Sequence, residues 1–221
     1  RQAAYLARML ELFEQRDLDE ALRHAIPLSK ELEGALAPPA LPALGVPSPR
    51  ERLAIVPHRA RGGASSLGVG EGLFELLRAT YRRAFDRLVA LGEFEKAAFI
   101  LAELLNASEE AVSFLERHGR RVLAAEVAEA RGLPPGLVVR QWFLAGHRER
   151  AVAVARRTGA FADAVLRLEA TDKSLGQALR LVWADHLADC GDYAAAVDVA
   201  WAIAAARPTL PRRPTTERLP Q

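Results

Sequence analysis

Phe114-Leu115-Glu116-Arg117-His118-Gly119-Arg120-Arg121-Val122-Leu123-Ala124 holds the pattern that decides the fold. An apolar run ends on a cation and a glycine, and an alanine follows the glycine by five residues. The same offset recurs at Gly92/Ala97, Gly146/Ala151, Gly159/Ala164 and Gly191/Ala196. Gly92, Gly119 and Gly146 lie 27 residues apart (92 to 119, 119 to 146). Glycine closes a helix cheaply because it takes the left-handed conformation, and a cation in the last turn complements the helix dipole. Arg117, Arg131, and Arg156 with Arg157 stand in that place before Gly119, Gly132 and Gly159. The alanine falls early in the next helix, where a small side chain lets paired helices approach. Repetition at this period predicts an all-α fold, an irregular α-solenoid of stacked antiparallel helical hairpins. The competing arrangement is an ordinary alanine-rich helical bundle.

On both sides of this stretch the pattern continues. Residues 72–206 read as the solenoid body, with helices over about 72–91, 94–105, 109–118, 120–131, 136–145, 148–158, 160–170, 174–190 and 193–206. Their short connections force antiparallel neighbours. Ser108 suits an N-cap with Glu109 and Glu110 in the first turn, and Pro134 and Pro135 suit a helix start. Asp192 suits the cap of the last helix, and Asp189 opposes the dipole of the one before it. In 136–145, Leu137, Val138, Val139, Trp142, Phe143, Leu144 and Ala145 leave Arg140 and Gln141 as the polar residues. A helix apolar nearly all round belongs inside the stack. Gly132 departs from the pattern, because Leu137 and not alanine follows it.

Residues 1–33 read as a separate N-terminal helical hairpin. Leu6, Leu10 and Phe13 share one face, Asp17 and Glu20 form a capping box, and Pro27 lies near the end of the second helix. Residues 34–71 form a Pro/Gly-rich linker or strap: six of the thirteen prolines and six glycines lie between 34 and 70. That density forbids helix. Yet Leu36, Leu41, Leu44, Val46, Leu53, Ile55 and Val56 make it too apolar for a solvated linker, so part of it is expected to lie extended along the helices. The tail 207–221 carries four prolines and reads as extended or disordered.

Half of the 221 residues are hydrophobic, enough for a sizeable core, and the net charge is +2. Residues 34–70 and 207–221 each carry +3, which leaves −4 on the helical parts. No run of 18 or more apolar residues suggests a membrane span in this stretch. The chain opens at Arg1 with its one methionine at Met9, so it reads as a piece of a longer protein whose membrane anchor, if any, lies elsewhere. Cys190 stands alone and fits a reducing compartment.

Enzymatic motifs are lacking. Gly68-Val69-Gly70-Glu71-Gly72 has neither the Gly-Lys-Ser/Thr ending of a P-loop nor the spacing of a dinucleotide fingerprint, and reads as a flexible helix entry. His24, His58, His118, His147 and His186 contain no i, i+4 pair for a helical metal site. His118 sits where a helix ends and serves its dipole. Asp185 and His186 are adjacent on a helix and do not face one another. No Gly-x-Ser-x-Gly elbow is present. The expectation is a non-enzyme with no cofactor, no metal and no catalytic residue.

The candidate partner-binding residues are the arginine pairs Arg82/Arg83, Arg120/Arg121 and Arg156/Arg157. Aligned along one edge they would meet an acidic protein surface or a nucleic-acid backbone; their commoner role is a solvated face. Trp142, Trp183 and Trp201 suit interface anchors, though at helical spacing the commoner place is the core.

Three runs carry a family resemblance: 114–119 quoted above; Gly132-Leu133-Pro134-Pro135-Gly136-Leu137-Val138-Val139-Arg140-Gln141-Trp142; and Arg156-Arg157-Thr158-Gly159-Ala160-Phe161-Ala162-Asp163-Ala164-Val165. Over about 67–201 the chain resembles the helical portion of a bacterial family described as a β-propeller-type component of MoxR–von Willebrand A ternary systems. The resemblance implies a non-enzymatic protein-binding scaffold, TPR-like in architecture, acting in the bacterial cytoplasm with a MoxR-type AAA+ ATPase or a von Willebrand A protein. It carries over no functional residue, and no run of short strands that would make a propeller is present. A helical-repeat module that binds nucleic acid through the arginine pairs and basic segments is the alternative.

Overall fold

A computed structural model describes residues 2–28, 49–55 and 71–205. Among these are eleven α-helices and no strand: α1 (Gln2–Gln15), α2 (Leu18–His24), α3 (Glu71–Ala90), α4 (Phe94–Phe99), α5 (Ser108–Arg117), α6 (Arg121–Ala130), α7 (Pro135–Leu144), α8 (Arg148–Thr158), α9 (Phe161–Glu169), α10 (Lys173–Asp189) and α11 (Tyr193–Ala205). Helices pack against their neighbours in sequence, in the manner of an α-solenoid. No helix among the described residues is long and apolar enough to cross a membrane.

One corner, repeated, builds the stack. At Gly119 the backbone is left-handed (φ 77°). The next N–H, of Arg120, donates back to the Leu115 carbonyl at 2.8 Å, which satisfies a carbonyl orphaned at the end of α5. Arg120 is at once the N-cap of α6. Its carbonyl accepts the first helical bond from Ala124 N–H at 2.9 Å, and Ala124 is fully buried. The glycine–alanine offset is therefore the sequence trace of a helix–helix corner of two or three residues. Ala97, Ala151, Ala164 and Ala196 hold the equivalent bonds and are likewise buried.

Two corners use no glycine. Arg16 (φ 69°) and Asn106 (φ 53°) are left-handed, and the buried alanines Ala21 and Ala111 follow each by five residues. Gly132 departs from the offset because its corner is one residue longer. Leu133 N–H closes α6 onto Ala128, Pro134 is the N-cap of α7, and the buried fourth position falls on Val138. Corners at 92, 119 and 146 thus interleave with corners at 106, 132 and 159. Both series advance by a hairpin of about 27 residues, so the regular part runs further than glycine alone suggests. Regularity ends at α10, where Asp172 caps without a preceding glycine and the helix runs for 17 residues.

Two local expectations, at Ser108 and over 94–105, are revised, and the caps at Asp17 and Asp192 are as expected. Ala107, not Ser108, is the N-cap of α5, and Ser108 is its first helical residue. The helix expected over 94–105 is α4 followed by a π-helical turn, Ile100–Leu104, whose five residues are all buried. Asp17 caps α2 by accepting from Glu20 N–H at 3.3 Å, while the Glu20 carboxylate lies against His24. Asp192 caps α11 through Ala195 N–H at 3.1 Å. Asp189, set against its own helix dipole, lies 4.0 Å from Arg156.

The N-terminal hairpin is fastened to the body. The Tyr81 hydroxyl donates to the Ile26 carbonyl (2.8 Å) and accepts from Ile26 N–H (3.0 Å). Burial pushes the Tyr81 pKa well up, so the phenol stays protonated. Leu28 N–H reaches the Leu104 carbonyl at 2.7 Å, closing the free end of the π turn. Residues 49–55 behave as a strap. Arg50 N–H donates to the Arg23 carbonyl, its guanidinium to the carbonyls of Leu22 and Ala25, and Ile55 is buried in the core. The rest of 34–71 up to 70, and all of 207–221, lie outside the described residues.

Candidate protein-docking surface

The six arginines singled out by sequence do not converge. Arg82 of α3 makes a bidentate pair with Glu110 of α5, at 2.6 and 2.7 Å. The hydrogen bonds lower the Glu110 pKa and raise that of Arg82. Arg83 bonds Thr80 Oγ1 at 3.3 Å. Arg120 pairs with Glu95 of α4 at 3.2 Å, and Arg157 of α8 lies 3.9 Å from Glu129 of α6. Arg156 faces Asp189 of α10, and Arg121 is exposed. Four of the six thus link one layer of the stack to the next.

Sequence reasoning missed the carboxylates at the centre of this wiring. Arg140 and Gln141, the polar pair on α7, are buried, not turned to water. Arg140 grips Glu116 of α5 at 2.5 and 2.8 Å and touches Thr171 Oγ1 at 3.3 Å, and Gln141 donates to Glu116 at 2.7 Å. Burial pushes the Glu116 pKa up, but the bonds from Arg140 and Gln141 and the Arg140 charge outweigh it, and the carboxyl ends below its usual range. Glu129 of α6 accepts from Trp142 Nε1 (2.7 Å) and Arg150 Nε (2.9 Å), which overcome its desolvation in the same way. Glu103 of the π turn is buried against Arg131. Two buried polar residues on an otherwise apolar helix were the signal that α7 needed a charged partner.

Close approach recurs across α9. A Cβ on Gly136 would stand 1.9 Å from Asp163 Oδ2, and one on Gly176 would meet the Glu169 backbone nitrogen at 2.9 Å. These glycines let α7 and α10 lie against α9.

The described histidines, His24, His118, His147 and His186, each pack against an aromatic ring, and His58 lies outside the described residues. His118 caps α5 and stacks on Phe94, with ring centroids 4.0 Å apart. His186 Nδ1 lies 3.7 Å from the exposed Cys190 Sγ. Among the described residues no group of three or more His, Cys, Asp or Glu is placed to hold a metal. Glu71 and Gly72 begin α3, and the rest of the glycine-rich run lies outside the described residues.

The tryptophans part company. Trp142 is buried, and Trp183 is half-buried and stacked on Phe161 at an interplanar angle of 1°. Trp201 is 68% exposed, against the expectation of a core position. Tyr193 and Val197 on the same helix are 70% and 61% exposed. The spacing i, i+4, i+8 aligns all three on the outer face of α11. A concavity of about 270 Å³ lies between α1, the start of α2 and α3, with Phe13, Leu18 and Ala84 in its lining and Arg83 and Arg87 beside them. No protein-family model, no curated protein and no solved structure matches this chain.

Proposed function

We propose that this chain is a non-enzymatic helical-repeat scaffold that binds another protein in the bacterial cytoplasm. The partner class is the one implied by the sequence resemblance, a MoxR-type AAA+ ATPase or a von Willebrand A protein. The observation that supports it is the aromatic and aliphatic outer face of α11, where Tyr193, Val197 and Trp201 meet solvent. Aromatic side chains of this kind anchor protein interfaces. The arginine pairs give less support to a nucleic-acid reading, since four of the six lie against carboxylates of the same chain. The test is co-elution of the purified chain with a MoxR-type ATPase and a von Willebrand A protein from the same genome, beside an RNA titration at rising salt. A stable complex without RNA binding supports the scaffold. RNA binding that weakens steeply with salt, and no protein complex, overturns it.

A further inference from the structure

Of the thirteen residues of α11, Asp198 alone is charged. A helix apolar on every side is stable where it is covered on every side. Within the described residues α11 is covered by α10, and Ala196 is buried there, while the stripe Tyr193–Val197–Trp201 stands 61–70% exposed. Leu76, Val122, Leu166 and Leu181 are also exposed but stand singly on their helices, whereas Tyr193, Val197 and Trp201 line up on one helix face.

Charge decides the occupant. Asp185, Asp189, Asp192 and Asp198 are exposed on or beside α10 and α11. The basic side chains of the same hairpin are Lys173 and Arg180, Arg180 is taken up by two bonds of 2.9 Å to Glu169, and Arg156 of α8 lies 4.0 Å from Asp189, which leaves Asp185, Asp192 and Asp198 as the rest of the acidic rim. A second copy would bring acidic rim to acidic rim, which like-charge repulsion opposes. A partner with lysine or arginine beside an apolar stripe would be attracted. We infer that the outer face of α11 is the docking site for an amphipathic helix of another protein, apolar on one face and basic on its flanks. The inference rests on the protein-scaffold reading above and adds where the partner binds and what its chemistry is.

The probe is a synthetic leucine–lysine amphipathic peptide of about 18 residues, long enough to form a helix. It is titrated into the full chain by calorimetry, beside a counterpart with glutamate for lysine. The lysine peptide is expected to bind at least about tenfold more tightly than the glutamate peptide. Val197→Glu and Trp201→Ala are each expected to weaken it about tenfold or more, with the helical circular dichroism and melting of the chain unchanged. Absence of binding, equal binding of both peptides, or binding insensitive to both variants overturns the inference. If Val197→Glu converts a dimer to a monomer in sedimentation, a second copy covers the face and the inference fails. If Arg212→Glu with Arg213→Glu strengthens peptide binding, the chain's own end is the occupant and it fails likewise. Should a complex with the ATPase or the von Willebrand A protein form and survive Val197→Glu, the scaffold reading stands and the α11 assignment falls.

Discussion

α7 and α11 share an apolar pattern and live in different surroundings. Each is apolar almost all round, and each carries a tryptophan. α7 is packed by α6, α8 and α9 and wired to α5 through Arg140. It has become the middle of the protein. α11 has α10 on one side and solvent on the other. The contrast shows that composition sets how many sides of a helix need covering, while its place in the stack sets how many the chain itself covers. What α7 obtains from neighbouring layers, α11 has to obtain from elsewhere.

The two helices differ most in what removal of their tryptophans should cost. Trp142→Ala is expected to cost about 3–5 kcal/mol in urea unfolding, since it opens a cavity and strips Glu129 of a donor. A cost under about 1 kcal/mol would show that α7 is not the middle of the core. Arg140→Ala should follow at about 2–3 kcal/mol, less than a fully buried pair because the Glu116 side chain is 25% exposed. Arg140→Met, which removes the charge but keeps the bulk, tests whether packing or the ion pair is at stake. Ala151→Leu or Ala124→Leu, at fully buried corner positions, should cost about 1–3 kcal/mol by overpacking. Unchanged melting would mean that the small residue is not required there.

Acid sharpens the contrast further. Glu110, Glu116 and Glu129 all have folded-state pKa values below the ordinary 4.5. Their contribution is complete above that value and is lost as the pH falls through the lower folded values. Melting temperature should therefore fall between about pH 5 and pH 2, with a smaller fall in Glu116→Gln than in the native chain. The smallest effect is expected at α11, where Trp201→Ala should change unfolding by no more than about 0.5 kcal/mol. A large loss there would mean that the isolated chain already covers this face.

Most helix ends could be read from sequence because glycine and arginine mark them chemically. Gly119 and Gly159 announce a left-handed backbone that few other residues accept. Arg16 and Asn106 make the same turn without that announcement, so glycine spacing alone marks the second series only at Gly132 and Gly159. Gly132 looked irregular because one extra residue before Pro134 moves the buried position from 137 to 138. The partners of Arg140 and Trp142 lay beyond local patterning: Glu116 is 24 residues from Arg140, and Glu129 is 13 from Trp142. Only the packing of layers brings them together. The exposure of Trp201 was illegible for the same reason, since its helix has the apolar pattern of a buried one.

The ion pairs between layers also act as a key to their order. The corners at Gly92, Gly119 and Gly146 are alike, so by backbone geometry alone neighbouring hairpins could trade places. Glu95 with Arg120, Glu116 with Arg140, and Glu129 with Arg150 and Arg157 each join specific layers. A shuffled or duplicated hairpin would separate these guanidinium–carboxylate pairs. The repeat makes the units interchangeable in shape, and the charges give each one an address.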